Sequence, residues 1–531
     1  MRKILKIDEK DNLIVALSDL IKGETVKWKE EEYILVTEVK AKHKFTTEKI
    51  NIDDVLYMYG VPIGKAILPI EKGEVVTTSN IKHYAAPVSL ESEYNYSWKK
   101  PNISYLQNRY FKGYLRDDGR VGTRNYWLII PLVFCENRNA QKLQNALSKP
   151  LGYSQEDYTD VIQLLMGDEI EAEKTKRVFN NIDGIRAIYV NGGCGGTSFD
   201  SRSLCKILAS YADHPNVAGV TIFSLGCEKA QISLFKEELN IVNPKFNKPL
   251  LFYRQQDWNS EEEMMKSAIS ETYQQLPEVN KVKRTDVPLS KLKIGVKCGG
   301  SDGFSGISAN PVMGKVSDLV VALGGGSCLA EFPELCGAEG NVLERCISFE
   351  DKKKFLELMN HYEKTANFEG TSISDNPSPG NIKDGLITDA IKSTGAFKKG
   401  GAAPISAVKD YGEKMPDTGF SLVCTPGNDL EAVTGQVAAG ANVVLFSTGL
   451  GTPTGNPIVP VIKIATNNAI AEKLIDLIDF NTGAVIDGES LDTVAEDLLE
   501  KVILTASGDY QVKADKLEQY DFMFWKRNTS L

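Results

Sequence analysis

Ile294-Gly295-Val296-Lys297-Cys298-Gly299-Gly300-Ser301-Asp302-Gly303 passes directly from a short apolar run into a turn of glycines and small polar residues. The same change recurs beyond Gly113. Residues 126–133 end at Cys135, 188–190 precede Gly192-Gly193-Cys194, and 220–225 precede Gly226-Cys227-Glu228. Residues 319–323, 422–423 and 443–446 run into similar turns at Gly324, Cys424 and Ser447. Helix-like stretches such as 139–147 and 470–477 lie between them. Strands alternating with helices predict an α/β fold with mainly parallel sheets. In such sheets ligands bind beyond the carboxyl ends of the strands, so the glycine turns mark where chemistry belongs.

Working outward, the first 85 residues read differently. Short β-branched or alternating runs (13–17, 25–28, 33–36) are separated by Lys22-Gly23 and Lys72-Gly73, the pattern of a small strand-rich domain. Residues 86–108 are polar, aperiodic and carry two prolines up to Ser104, which predicts a linker. A second polar stretch near 274–293 divides the body into 109–280 and 281–531.

The chain has 531 residues, 42% hydrophobic and 25% charged, with a net charge of −10. An acidic balance argues against a broad nucleic-acid or anionic-membrane surface, but leaves room for a small anion held by a few local donors. The longest apolar run, 127–135, is about half of a membrane span. Nine scattered cysteines and an opening unlike an export signal predict a cytoplasmic protein with reduced thiols.

The turn 298–306 continues to Ser308-Ala309-Asn310-Pro311, and its glycines can turn N–H groups inward around an anion. A tight turn with a helix cap is the bland alternative. No Gly-Lys-Ser/Thr follows, so it is not a nucleotide P-loop. Residues 376–381 (NPSPGN) and 449–456 (GLGTPTGN) are loops of the same kind, the second followed by Lys463 and Thr466-Asn467. Taken alone, Lys463 reads as solvated surface. Arg116, Arg120 and Arg124 surround a turn before a buried strand and suit bidentate carboxylate binding, or pairing with Asp117 and Asp118. Six cysteines fall at strand ends without CxxC spacing; singly they read as packing, together as soft ligands for iron or zinc. His43 lies in a turn of the strand-rich domain that can reach across to the body.

The succession GYLRDDGRVGTRN (113–125), SLGCE (224–228), KCGGSDGFSGISANPVMG (297–314), EFPELCGAE (331–339), NPSPGN, CTPGND (424–429) and STGLGTPTGNPIVPVIKIATN (447–467) resembles the altronate/galactarate dehydratase family. The strand-rich start resembles the SAF β-clip domain of those enzymes, through His43-Lys44-Phe45 and Gly60-Val61-Pro62-Ile63-Gly64. The resemblance implies a lyase that removes water from a sugar acid to give a 2-keto-3-deoxy acid, helped by a divalent metal, Fe²⁺ or Mn²⁺. It implies a small anionic sugar-acid substrate, no nucleic acid and no membrane partner, and it is compatible with a homo-oligomer. Sulfo-lyase elimination on a 2-hydroxy acid and non-catalytic sugar-acid binding are the competing readings. Carried onto this chain, the expected catalytic residues are Asp302, Lys463 and His43. The expected substrate-binding residues are Arg116, Arg124, Asn125, Ser301, Ser305, Asn310, Ser378, Asn381, Thr466 and Asn467. His43, Cys194, Cys227 and Glu228 are the expected metal ligands. The chain departs from the family pattern at Thr77, Ser79 and Val190, where histidine is usual, and at Leu450, where arginine is.

Overall fold

Strand Leu13–Ala16 is buried along its whole length, although it belongs to a small antiparallel domain. Alternate side chains of a strand face opposite ways, so each face must meet its own apolar partner. Ile14 and Ala16 pack with Leu20, Val26, Tyr33 and Phe45 inside the domain. Leu13 and Val15 belong to a second cluster with Leu56, Met58 and Ile63, which is completed by Phe304, Ile307, Leu386 and Ile391 of the body. The N-terminal domain therefore shares a core with the body.

The computed structural model describes residues 2–86, 88–90, 96–153, 161, 165–166 and 176–531. In the N-terminal domain Leu13–Ala16 pairs with Ile4–Leu5 and Lys44–Thr46, and Val55–Met58 pairs with Val61–Ala66. Part of the expected linker, 87 and 91–95, lies outside the described residues. Further along it, Trp98 and Ile103 pack on the large core of the body.

The middle part holds a four-stranded parallel sheet in the order Gly184–Ala187, Tyr126–Pro131, Val217–Ser224, Leu250–Arg254. The C-terminal part holds a seven-stranded parallel sheet. Its order is Ile405–Lys409, Gly419–Val423, Gly326–Leu329, Lys293–Cys298, Val443–Thr448, Val461–Ala465, Phe480–Asn481. Continuous apolar strands covered by helices on both faces are what an all-parallel sheet requires. The chain builds outward from Lys293–Cys298 to one side, then returns to place Val443–Thr448 on the other. That reversal opens a crevice beyond the ends of these two strands.

Two local readings change. Residues 319–323 are not a strand but the end of helix Ala309–Ala322, and the strand begins after the glycines, at Gly326. A helix buried on most of its circumference is apolar without a clear period, and its tail reads like a buried strand. The 470–477 helix is shorter, Asn468–Lys473.

Helix Ala309–Ala322 lies so close to the turn at 398–401 that a Cβ at Gly314 would stand 2.1 Å from the Lys398 carbonyl oxygen. Both partners are backbone and neither can yield. Gly314→Ala should therefore cost about 1–3 kcal/mol in chemical denaturation. An unchanged midpoint would show that the helix and turn can separate freely.

Candidate active site

At the crevice a cavity of about 720 Å³ is bounded on one side by Cys298, Gly299, Gly300 and Ser301, and on the other by Leu450, Pro453 and Thr454. Ser378, Asn381, Lys392, Glu334, Asp429 and Asp521 complete its polar wall. Glycine is required at 299, where a Cβ would come within 2.4 Å of the Asp429 carboxylate and 2.6 Å of the Phe446 ring. Gly300 has φ +57°, a left-handed backbone that glycine adopts without strain. Ser378 and Asn381 cap the short helix Pro379–Lys383 reciprocally. The Asn381 amide also donates to the Ser301 carbonyl at 2.8 Å, tying the two loops together.

Below this wall lies a buried network of charge. Lys297 Nζ donates to Asp429 Oδ1 at 2.7 Å, to the Cys298 carbonyl at 2.7 Å and to Glu331. Lys399 Nζ donates to Cys298 Sγ at 2.8 Å and lies 3.3 Å from Glu331 and 3.5 Å from Glu334. Lys392 Nζ is 3.2 Å from the other Glu334 oxygen. Burial and the neighbouring Glu334 push the Glu331 carboxyl up to about 7. Against its own burial, Glu334 is held below the usual carboxylate range by Lys392, Lys399 and Lys297. Register places Lys297 and Lys463 on either side of Phe446 in adjacent strands. Lys463 Nζ stands over that ring at 3.9 Å, buried and without a hydrogen-bond partner. Burial brings its pKa down to about 7, opposed chiefly by Asp429 and Asp521 of the cavity wall.

Asp302 is fully buried and ties together chain segments remote in sequence. Its Oδ1 accepts from the Phe304 N–H at 3.2 Å and the Ser305 hydroxyl at 3.0 Å. Its Oδ2 accepts from Thr466 at 3.1 Å and Asn467 at 3.4 Å, and meets Lys42 Nζ of the N-terminal domain at 3.0 Å. Beside it, Lys44 Nζ donates to the Gly385 carbonyl at 2.6 Å, and burial brings this lysine down to about 7, opposed by Asp302. Lys42 and Glu331 both have positive φ, +75° and +70°. Strain of this kind persists where the surroundings impose it, and here Lys42 serves Asp302 while Glu331 serves Lys297 and Lys399.

The structure gathers Ser301, Ser378 and Asn381 on the cavity wall. Asp302, Ser305, Thr466 and Asn467 stand together behind it. Asn310 bonds the Gly395 carbonyl and accepts from Ser447. Lys463 is not surface, because it projects from a central strand into the interior. Arg116, Arg124 and Asn125 are not brought to the cavity. They lie at or before the N-terminal end of strand Tyr126–Pro131, the wrong end for a ligand site. Arg116 donates to the Pro215 carbonyl and Asn125, and Arg124 to the carbonyls of Thr123 and Thr505. Arginines in a buried turn are thus spent on backbone oxygens.

The expected metal set is not assembled either. His43 Nε2 lies 3.0 Å from the Lys383 carbonyl oxygen in the C-terminal part, whereas Cys194 and Cys227 follow strands of the middle sheet. The Glu228 carboxylate is taken by the Ser224 hydroxyl and the Gly226 N–H. Among the described residues, the one group of three ligand types close enough to share an ion is Cys298, Glu331 and Glu334. The Lys399 ammonium contacts all three, so a cation already neutralises that place and a metal would have to expel it. One thiolate and two carboxylates are a donor set that could hold a divalent ion, in competition with the Lys399 ammonium.

Sequence reasoning missed Lys42, Lys297, Lys392, Lys399 and Asp429. One signal was available: Lys297 interrupts an apolar run directly before the glycine turn, and a charge inside a parallel strand needs buried partners.

A strand-end cavity with a glycine turn, an ammonium and carboxylates on its wall defines an α/β enzyme. Family models for the Altronate/galactarate dehydratase SAF domain, the D-galactarate dehydratase/Altronate hydrolase second domain and the D-galactarate/Altronate dehydratase C-terminal domain match residues 2–84, 113–280 and 289–530. The chain is 34% identical to the altronate dehydratase of Bacillus subtilis (strain 168), over 100% of both chains. It is 33% identical to the altronate dehydratase of Escherichia coli K12, over 95% of each. Identity to the galactarate dehydratase (L-threo-forming) of E. coli K12 is 28%, over 91% of this chain and 88% of that one. The chain belongs to the altronate/galactarate dehydratase family.

Lys463 also gives a pH signature. Its pKa is about 7 when folded and about 10.4 when unfolded, so between these values the unfolded chain binds more protons and stability rises with pH. Urea denaturation should show wild type gaining about 2 kcal/mol on Lys463→Met between pH 7 and pH 9. Parallel responses of the two proteins would mean an ordinary lysine.

Proposed function

We propose that this chain is a hydro-lyase that removes water from a sugar acid of the altronate or galactarate kind, yielding a 2-keto-3-deoxy acid. The observation that carries the reading is the cavity at the sheet reversal, whose wall combines a glycine turn, Lys392 and three carboxylates, in a chain matching dehydratases along its whole length. The chemistry needs a carboxylate clamp, a base for the proton next to the carboxylate, and positive charge facing the enediolate. Lys392 and the N–H groups of Gly300 and Ser301 supply the clamp and the charge, the Gly299 N–H being held by the Ser447 carbonyl. Asp429 suits the base: Lys297 bonds one of its oxygens, and among the described residues no donor engages the other. Glu334, by contrast, has ammonium groups on both oxygens. The β-hydroxyl leaves as water with the proton that Asp429 took, and ketonisation of the enol completes the reaction. Asp302 is a positioning residue, holding Lys42 and the 466–467 loop.

A sugar-acid panel, assayed anaerobically with added Fe²⁺ or Mn²⁺, should give 2-keto acid from one of these substrates. No product from any of them would remove the reading. Asp429→Asn should abolish exchange of the α-proton with D₂O, and exchange at the wild-type rate would exclude it as base. Lys392→Met should raise KM about 10–100-fold, the worth of a hydrogen bond to a charged group. An unchanged KM would place the carboxylate elsewhere.

A further inference from the structure

Three cysteines of the middle part take no part in the chemistry above. Cys135, Cys194 and Cys227 are all exposed, and each follows one of three neighbouring parallel strands, Tyr126–Pro131, Gly184–Ala187 and Val217–Ser224. Their loops are locked together through adjacent backbone. The Phe134 N–H donates to the Gly192 carbonyl at 3.0 Å, and the Lys229 and Ala230 N–H groups donate to the Gly193 carbonyl at 2.9 and 3.1 Å. Gly193 has φ +96° and must be bare, because a Cβ would stand 2.1 Å from the Leu132 carbonyl oxygen. The buried Glu228 carboxylate, bonded by Ser224 and Gly226, fixes the loop that carries Cys227.

Their spacing separates two kinds of occupant. Neighbouring strands lie about 4.8 Å apart, so the outer two of three adjacent strands are separated by about 10 Å. The three sulfurs are not gathered within the 4.8 Å of one another that marks the single-ion group described above. Thiolates carried on neighbouring strand ends at a spacing wider than a single-ion site suit an occupant larger than one ion. The glycine-rich turns Gly192-Gly193-Cys194-Gly195-Gly196 and Gly226-Cys227 leave room and N–H groups for inorganic sulfide.

The geometry points to an iron–sulfur cluster site of the [4Fe–4S] type, ligated by the thiolates of Cys135, Cys194 and Cys227 and leaving one iron without a protein ligand. The site is distinct from the Cys298 cluster and does not rest on the proposed dehydration. One structural link joins it to the cavity. The C-terminal segment lines the cavity with Asp521, exchanges hydrogen bonds between Phe524 and Asn191, and donates from the Leu531 N–H to the Gly195 carbonyl at 2.7 Å.

The test uses the full chain, made anaerobically and reconstituted with ferrous iron and sulfide. About four iron atoms and four acid-labile sulfides per chain are expected, with the broad visible absorption of thiolate-to-iron charge transfer. Each of Cys135→Ser, Cys194→Ser and Cys227→Ser should lose that absorption, while Cys205→Ser and Cys336→Ser keep it. Because the three thiols are exposed, circular dichroism should show the first three variants folded. A misfolded variant is replaced by the corresponding alanine before it is read. Iron without sulfide, zinc alone, or a chromophore that survives the three substitutions would overturn the assignment. Loss of dehydration with the cluster intact would count against the proposed function only.

Discussion

Charges taken out of water cost several kcal/mol each unless partners replace the hydration, and removing one member of such a group costs more than the group is worth. The centre of the C-terminal domain is built under that constraint. Lys297, Lys392 and Lys399 face Glu331, Glu334 and Asp429, an even balance of sign around the Cys298 thiol. Much of the neighbourhood serves to keep them together. The strained Glu331 backbone, the close approach of helix Ala309–Ala322 to the Lys399 turn and the bare Gly299 each bring one member within reach. The same balance leaves the cavity wall with fixed dipoles and charges already paired, which is how an active site avoids reorganising during a reaction.

The N-terminal domain enters the same arrangement from outside. It brings Lys42 to Asp302 and Lys44 close by, while His43 lies against the Lys383 carbonyl. Asp302 in turn holds the loops at 305 and 466–467. A carboxylate with this many donors joins chain segments remote in sequence.

Much of this was legible in the residues. Strand-to-glycine transitions mark the parallel sheets and the end of the sheet at which the cavity opens, because a turn beyond a buried strand needs small residues whatever the ligand. Ser301 lies in such a turn, whereas Ser378 and Asn381 follow no strand and are reached only through the family resemblance. The arginines at 116 and 124 donate to buried carbonyls, which a guanidinium satisfies as readily as it binds a carboxylate, and their place before the strand already puts them at its amino end. Lys463 taken alone reads as surface and is expected at the site only through the family resemblance; strand register is what reveals that it shares Phe446 with Lys297. The lysines at 392 and 399 lie in helical stretches with no motif of their own, so their pairing depends on contacts that no spacing encodes.

The strand buried on both faces has a consequence for synthesis. As the chain leaves the ribosome, Leu13, Val15, Leu56 and Ile63 emerge well before Phe304, Ile307, Leu386 and Ile391, which cover them. At about 5–20 residues per second the interval is some tens of seconds. During that time the nascent domain carries an uncovered apolar face that a holdase can occupy, so the yield of native protein depends on translation speed as well as on the finished fold.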